Sequence, residues 1–257
     1  MRPGAFERAV AFEHNVMRRV STCIERFACG AAYLNDDLPH RYSSNLLLVE
    51  VDAVPTTAEA LSRQAERILG GAGLAHRKVN ADGEVGRGLA PGFLELGWTV
   101  ERLALMTLGR DPDRPASIPV EVVRFGDVRP VVETVVRRFE VTADEAILRE
   151  LVGFKELAER RAGVRFVVAK VDGRIAVECE LYVGEGVAQI EDVNTLEEFR
   201  GRGAARAVVL GAAQRAREEG ADLVFLVADE EDWPIRLYER LGFERAGPAW
   251  EFVRVPS

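Results

Sequence analysis

The order of apolar and polar positions predicts a mixed α/β fold. In residues 120–257, apolar runs of strand length alternate with longer segments in which apolar residues recur at helical spacing. Two of the runs, at 164–171 and 174–183, are separated by Asp172 and Gly173, a pair that favours a tight hairpin turn. This part of the chain is therefore predicted to form a sheet that is covered by helices.

A strand-turn-helix-strand segment carries the strongest pattern in the chain. A strand at 187–193 precedes the turn Arg-Gly-Arg-Gly-Ala-Ala at 200–205, and the following helix ends at Gly220 before a short strand at 223–227. Glycine is favoured just beyond a helix C-terminus. The N-terminus of such a helix has unpaired N–H groups and can hold an anion. Many glycine turns of this kind are only tight connections, so the turn alone does not predict a ligand.

Residues 1–108 show a weaker pattern in the same order. The predicted elements are helices within 5–29, a strand at 45–51, a helix at 56–69, a strand at 74–80, a loop at 81–88 and a strand at 93–108. Their lengths resemble those of 187–243, but the corresponding turn at 55–58 has neither glycine nor arginine. Two interpretations stay open: a degenerate copy of the C-terminal half, or an unrelated α/β extension.

The best domain boundary is the polar segment at 109–117, which contains two prolines. It predicts an N-terminal α/β domain at 1–112 and a C-terminal domain at 118–257. Because the Gly-x-Gly at 86–88 lies where a loop and no helix start is predicted, it is not expected to form an anion site.

Net charge, cysteine content and the length of apolar runs limit the classes of partner and the compartment that are expected. The net charge of −8 and pI of about 5.2 argue against a nucleic acid partner, because a phosphate backbone attracts a basic surface. Cys23, Cys29 and Cys179 have no C-x-x-C spacing, so neither a disulfide framework nor a zinc site is predicted, and no metal is expected. No run approaches the length of a membrane span or a signal peptide. A cytoplasmic protein that does not bind membranes is the prediction.

Two motifs in fixed order resemble the GNAT superfamily of acyl-CoA-dependent N-acyltransferases. The family turn Arg/Gln-x-x-Gly-x-Gly/Ala is matched by Arg200, Gly203 and Ala205. A second signature, Leu-Tyr-x-x-x-Gly-Phe, is matched by the segment 237–243. The resemblance covers roughly residues 120–255 and implies a GNAT fold there. The first half would then be a smaller, degenerate GNAT-like half of a tandem member.

The resemblance implies that acetyl-CoA is the acyl donor and lies between the strands at 187–193 and 223–227. The pyrophosphate would bind the glycine turn, and the pantetheine arm would pair with the backbone of the first strand. The residues expected to contact the donor are Val193, Asn194, Thr195, Arg200, Gly201, Arg202, Gly203, Ala204 and Ala205. One departure is Glu231, which stands where family members often have asparagine, and it puts one donor contact in doubt.

The resemblance also implies the catalytic groups. Tyr238 occupies the position of the general acid that protonates the leaving thiolate, and a phenol with an ordinary pKa of about 10 is protonated at neutral pH. Glu191 and Asp192 are candidates for the base, and regular strand alternation would put them on opposite faces. We select Glu191 because alternation would place it on the face of Val193 and Thr195, while Asp192 or a water molecule stays an alternative.

The function predicted from these residues is acetyl transfer to the primary amine of a small molecule or peptide by direct attack. The second hypothesis is a CoA-binding or regulatory module that has lost turnover. The acceptor and the acyl-chain preference do not follow from the sequence, and homodimer formation is left open.

Overall fold

The computed structural model describes residues 4–50 and 55–255. Its helices are α1 (Ala5–Val20), α2 (Ala58–Ala65), α3 (Gly83–Glu95), α4 (Phe125–Phe139), α5 (Glu145–Ala162), α6 (Ala204–Glu218) and α7 (Pro234–Arg240). Its strands are β1 (Cys23–Phe27), β2 (Gly30–Leu34), β3 (Leu46–Val49), β4 (Arg77–Asp82), β5 (Thr99–Leu108), β6 (Val120–Val123), β7 (Arg165–Val171), β8 (Arg174–Gly184), β9 (Val187–Thr195), β10 (Leu223–Asp229) and β11 (Phe243–Arg254).

The chain forms two compact units, and each is discontinuous in sequence. Of the described residues, the major unit contains 4–13, 106–226 and 233–244. The minor unit contains 14–50, 55–105, 227–232 and 245–255. The major unit thus includes a short segment from the N-terminal end of the chain, and the minor unit includes a short segment from the C-terminal end. The division into domains at 1–112 and 118–257 stays a prediction.

The minor unit is a sheet with two helices against it. Its strand order is β1-β2-β3-β4-β11-β5, in which β3 and β4 are parallel and the pairs β1/β2, β2/β3 and β4/β11 are antiparallel. Buried side chains of α2 and α3 pack on this sheet, with the Phe93 ring stacked on Phe252 at a centroid distance of 4.2 Å. The strand predicted to extend to Val51 ends at Val49, and Val51 itself lies outside the described residues.

The major unit has the strand order β10-β9-β8-β7-β6, in which only the β9/β10 pair is parallel among the described pairings. The hairpin prediction is confirmed, because Asp172 and Gly173 have φ of 53° and 76° between β7 and β8. The residues of α6 that face the sheet are small, mostly alanine and valine. At Gly211 an added Cβ would lie 2.4 Å from Val120, so glycine permits the close approach of α6 to β6.

Predictions at three places in the first half are wrong. Residues 23–27 form β1 where helix was expected, because β-branched and aromatic positions of Cys-Ile-Glu-Arg-Phe pair with β2. In the predicted loop at 81–88, residues 81 and 82 end β4 and residues 83–88 begin α3. The helix continues to Glu95, so the strand predicted at 93–108 begins only at Thr99. Gly86 is buried in α3, and an added Cβ would meet Trp250 Cδ1 at 2.3 Å and the Ala81 carbonyl oxygen at 2.5 Å. The glycine therefore serves helix packing, which overrides its low helix propensity.

With the helix and strand bounds that the structure gives, the two halves have the same order of elements. The order β3-α2-β4-α3-β5 in the first half matches β9-α6-β10-α7-β11 in the second. Each final helix is followed by a glycine with positive φ and then an aromatic residue: Gly97 and Trp98 after α3, Gly242 and Phe243 after α7. Only glycine adopts this backbone without cost.

We expect opposite effects from the same substitution at two positions of α3. Gly86→Ala should lower the free energy of unfolding by about 1–3 kcal/mol, because the methyl group overlaps Trp250 and Ala81. Gly88→Ala, where an added Cβ meets nothing within 4 Å, should raise it by up to about 1 kcal/mol through helix propensity. Urea denaturation measures both. Equal effects would show that helix propensity, not packing, decides at Gly86.

Candidate active site

The turn between β9 and α6 has the geometry of an anion site. Gly201 and Gly203 have φ of 75° and 82°, and nothing lies within 4 Å of a Cβ added at either residue. Gly203 is the residue immediately before α6, and its carbonyl oxygen accepts the first hydrogen bond of the helix, from Ala207 N–H. The preceding N–H groups of a helix have no partner within it. They therefore remain available, beside an open and side-chain-free backbone, for an anionic group.

Two arginines flank this turn. Arg200 and Arg202 are both exposed. The Arg202 guanidinium donates to Asp172 in the β7–β8 turn at 3.1 Å and lies 5.7 Å from the centre of the Phe199 ring. Asp172 and Phe199 hold Arg202 beside the glycine turn. A surface ion pair of this kind is weak, so the guanidinium can change partner at little cost.

The corresponding turn in the minor unit has a different chemistry. Thr57 precedes α2, and its hydroxyl oxygen accepts from Ala60 N–H at 3.3 Å. The Thr57 side chain thus caps one of the first N–H groups of α2. In α6 no side chain of the described residues makes the equivalent hydrogen bond. β3 and β4 pair at Leu47–Val79, Leu48–Asn80 and Val49–Ala81, through the last residue of β3.

β9 pairs with β10 over only part of its length. The pairs within the major unit run from Val187–Leu223 to Gln189–Phe225, whereas β9 continues to Thr195. On its other edge β9 pairs with β8 along nearly all of its length. The segment Val193–Thr195, predicted to contact the donor, lies in this last part of β9.

β9 contains one extra residue relative to β8. Glu180 pairs with Glu191 and Glu178 pairs with Asn194, so two steps along β8 correspond to three along β9. Asp192 has a φ of 49°, which is uncommon for a residue other than glycine. The pattern defines a β-bulge at Asp192. A bulge bends its strand and redirects the side chains that follow.

The bulge overturns the reason for selecting Glu191. Antiparallel partners share a face of the sheet, so Glu191 and Asn194 lie on the face of Glu178 and Glu180. Thr195 pairs with Val177 and lies on the opposite face. The expectation that Glu191 shares a face with Val193 and Thr195 is therefore wrong, because regular alternation does not continue through the extra residue. Glu191 is partly buried and accepts from Gln189 Nε2 at 2.7 Å.

A row of polar side chains follows the Glu191 face of the sheet, and the sequence analysis did not identify it. Consecutive cross-strand pairs are polar on both strands: Tyr182–Gln189, Glu180–Glu191 and Glu178–Asn194. The sequence signal for this row is Glu-Cys-Glu-Leu-Tyr in β8, an alternation of polar and apolar residues.

Lys155 of α5 is buried against this row. Its Nζ contacts Glu180 Oε1 and Asp192 Oδ2, so one ammonium joins β8 to the bulge. The Tyr182 hydroxyl donates to the other oxygen of Glu180 at 2.6 Å. Asp192 is thus engaged by a lysine, which makes it a poor candidate for a free base.

Glu178 is the most unusual group of the row. It is 1% exposed, Oε1 accepts from Asn194 Nδ2 at 2.9 Å, and Oε2 has no hydrogen-bond partner among the described residues. Burial raises the pKa of Glu178 to about 8, with Lys155 opposing the shift and Glu180 adding to it. Glu178 therefore carries a proton at neutral pH. Burial likewise raises the pKa of the neighbouring Cys179 thiol.

Tyr238 lies on α7 and is 9% exposed. Its ring packs edge-on against Phe243 at a centroid distance of 6.2 Å. The ring is thus held by packing within the major unit, as both the catalytic and the purely structural interpretation require. Among the described residues, no group of three or more His, Cys, Asp or Glu side chains is arranged to hold a metal ion, and no helix is long and apolar enough to cross a membrane.

Comparison with known families identifies this part of the chain. Residues 130–243 match the family described as Acetyltransferase (GNAT) family. This segment contains β7 to β10, the glycine turn, the bulge and Tyr238. The chain therefore contains a GNAT acetyltransferase domain and is an acyltransferase. Comparison with curated proteins gives no match.

Solved structures with similar folds span both halves. A conserved protein of unknown function from Staphylococcus epidermidis has a TM-score of 0.72 and 18% identity, over 92% of this chain and 95% of that one. A GCN5-related N-acetyltransferase from Kribbella flavida has a TM-score of 0.70 and 20% identity, over 97% and 95%. A tandem GNAT protein from the clavulanic acid biosynthesis pathway has a TM-score of 0.58 and 16% identity, over 89% and 81%.

These comparisons confirm the predicted fold class. The protein has a mixed α/β structure with a GNAT fold in the C-terminal half and a smaller, degenerate GNAT-like half at the N-terminus. The order of elements shared by the two halves agrees with a tandem arrangement. The interpretation of the first half as an unrelated extension is not supported.

The burial of Glu178 predicts a specific pH dependence of stability. A carboxyl whose pKa rises from about 4.3 when unfolded to about 8 when folded stabilises fully below the first value, and this contribution is lost as pH rises to the second. The free energy of unfolding of the wild type relative to Glu178→Gln should fall by up to about 1.4 kcal/mol per pH unit between pH 5 and 8, then level off. Urea denaturation at several pH values measures it. A constant difference would contradict the raised pKa.

Proposed function

We propose that the protein transfers an acetyl group from acetyl-CoA to the primary amine of a small molecule or peptide by direct attack. The observation that carries this proposal is the open, left-handed glycine turn at the N-terminus of α6, between a bulged strand and the helix, within a GNAT domain. GNAT acetyltransferases act in general on amine acceptors and use acetyl-CoA.

The donor is proposed to bind along β9 and the turn. The pyrophosphate accepts hydrogen bonds from the N–H groups of Arg202, Gly203, Ala204 and Ala205, with Gly201 keeping the backbone open and Arg200 and Arg202 adding positive charge. The pantetheine arm pairs with backbone groups of Val193 to Thr195, as an added strand does. Asn194 contributes its backbone there, because its side-chain amide is engaged by Glu178 and by the Asp192 carbonyl oxygen.

The chemistry requires two proton transfers. The amine nitrogen attacks the thioester carbonyl carbon, a C–N bond forms, and the C–S bond breaks with its electron pair going to sulfur. Tyr238 donates its hydroxyl proton to the leaving thiolate. A base removes the proton of the attacking amine; we keep Glu191 as that base, with a water molecule and Asp192 as alternatives. The contact of Asp192 with Lys155 disfavours Asp192.

The class of acceptor and the cellular compartment are inferred from the net charge and the cysteines. The net charge of −8 suits a cationic acceptor and disfavours nucleic acid. We place the protein in the cytoplasm, away from membranes, because its cysteines are unpaired among the described residues. A homodimer is compatible with these features, and no metal is required for the proposed chemistry.

The alternative is a CoA-binding module without turnover. Release of free thiol from acetyl-CoA in the presence of a panel of amines distinguishes the two functions. Amine-dependent release supports the transferase, whereas donor binding without release for every amine class supports the module.

A substitution at the glycine turn tests the donor site. Gly203→Val should raise the Kd for CoA by about tenfold or more, because a β-branched residue at positive φ costs about 1–3 kcal/mol and its side chain covers the N–H groups. Gly163→Val is the matched control: it has a φ of 71°, equally open surroundings, and lies at the C-terminus of α5. Calorimetric titration should give one site per chain. A second site, or equal weakening by both variants, would contradict this assignment.

The role of Tyr238 can be separated from its packing. Tyr238→Phe should keep the affinity for CoA, since the ring still packs on Phe243, and should lower kcat and kcat/KM together. General acid catalysis is typically worth about 10²–10⁴-fold, so the low end of that range is measurable. Steady-state kinetics with an acceptor found in the amine panel decides. Unchanged turnover would leave Tyr238 a packing residue.

A further inference from the structure

The bulge at Asp192 needs support from its surroundings. A left-handed backbone at an aspartate is less favourable than at glycine, although Asp and Asn tolerate it better than other residues do. Two contacts hold it: Lys155 Nζ on the Asp192 carboxylate, and Asn194 Nδ2 on the Asp192 carbonyl oxygen at 3.0 Å. Both partners are themselves anchored in the buried polar row.

Glu178 is the anchor of Asn194. A side-chain amide has two N–H groups, and Asn194 directs one contact of Nδ2 to Glu178 Oε1 and another to the Asp192 carbonyl oxygen. Glu178 is thereby linked through one side chain to the backbone of the bulge. The next residues along β9 are those proposed to pair with the donor, and the inference below therefore rests on the proposed function.

Burial favours the neutral form of Glu178; Glu180 and Asp192 act in the same direction, whereas Lys155 and the hydrogen bond from Asn194 favour the ionised form. Glu180 from β8 and Asp192 from β9 already share Lys155 from α5. On the same face, Tyr182 donates to Glu180, while Gln189 donates to Glu191 and, at 3.0 Å, to Glu13 of α1. α4 also packs on this sheet, with buried apolar residues such as Val128 and Val132, and Cys179 lies between the two glutamates facing α6. A third carboxylate charge would therefore be repelled and poorly solvated.

We propose that Glu178, in its protonated form, is a positioning residue for the acyl donor: with Lys155 it holds the bulge of β9 in the conformation that binds CoA, and ionisation of Glu178 weakens that binding. Once ionised, Glu178 is repelled by Glu180 and Asp192. The Asn194 side chain moves with it, and the backbone from Asp192 to Thr195 loses its fixed geometry. The donor then binds only the fraction of molecules in which Glu178 keeps its proton.

The test is the affinity for desulfo-CoA, which has no thiol of its own to ionise, at pH 7 and pH 9. For the wild type we expect the Kd to rise roughly tenfold between these values, because only about a tenth of the molecules keep a proton one unit above a pKa of about 8. Glu178→Gln keeps the accepting oxygen and cannot ionise, so its Kd should change much less. An equal rise in both proteins would overturn the proposal.

Lys155→Met tests the proposed role of Lys155 in holding the bulge. It leaves Glu180 and Asp192 without their shared ammonium and should weaken desulfo-CoA binding at pH 7 at least about tenfold, since the buried Glu180 carboxylate loses its counter-charge and the exposed Asp192 carboxylate loses its contact with α5. Lys170→Met, which removes an exposed lysine paired with Glu121, is the control and should bind as the wild type does. A folded Lys155→Met protein with wild-type affinity would overturn the role of Lys155.

A measurement without ligand separates this inference from the proposed function. If the wild type fails to bind desulfo-CoA at pH 7, the proposed donor site is wrong. The backbone amide resonances of residues 192–195 still report on the bulge. They should titrate with a midpoint near pH 8 in the wild type and not in Glu178→Gln. The absence of this titration, or its persistence in the variant, would overturn the proposal.

Discussion

The buried ammonium of Lys155 joins two strands of the major unit at the β-bulge. Lys155 contacts Glu180 on one strand and Asp192 on the next, at the point where β9 contains one residue more than β8. Without a counter-charge, the buried carboxylate of Glu180 would be strongly unfavourable, whereas the Asp192 carboxylate is exposed. Lys155 therefore offsets the negative charge of the polar row on the packed sheet. The bulge that it contacts precedes the segment proposed to bind the donor.

The two halves show how one order of elements leads to different sites. In the second half a glycine turn with positive φ leaves the start of α6 without a side-chain cap. In the first half Thr57 caps α2, and β3 pairs regularly with β4. The first half thus keeps the β-α-β-α-β order, while its helix start is satisfied internally and its strands stay together. The two halves therefore share an order of elements but differ at the turn that precedes the first helix.

The sequence predicted most of the major unit because its signals are local. Asp172-Gly173 specifies a turn, Gly203 and Gly220 delimit a helix, and two motifs in fixed order indicate the family. The bulge is different, because it depends on the pairing of two strands and on a lysine 37 residues away from Asp192 in the chain. Regular alternation, the only rule available from the sequence, assigned Glu191 to the wrong face. Gly86 was misread for a related reason: the need for glycine comes from Trp250, far along the chain.

We propose that the acyl donor binds along β9 beyond the bulge and at the start of α6, and not at the corresponding place in the first half. Amide hydrogen exchange with and without CoA at pH 7 tests this assignment. We predict slower exchange in the presence of CoA at residues 193–195 and 202–205, with no change at residues 56–60. Protection at 56–60, or no protection at 193–195 under saturating CoA, would contradict it.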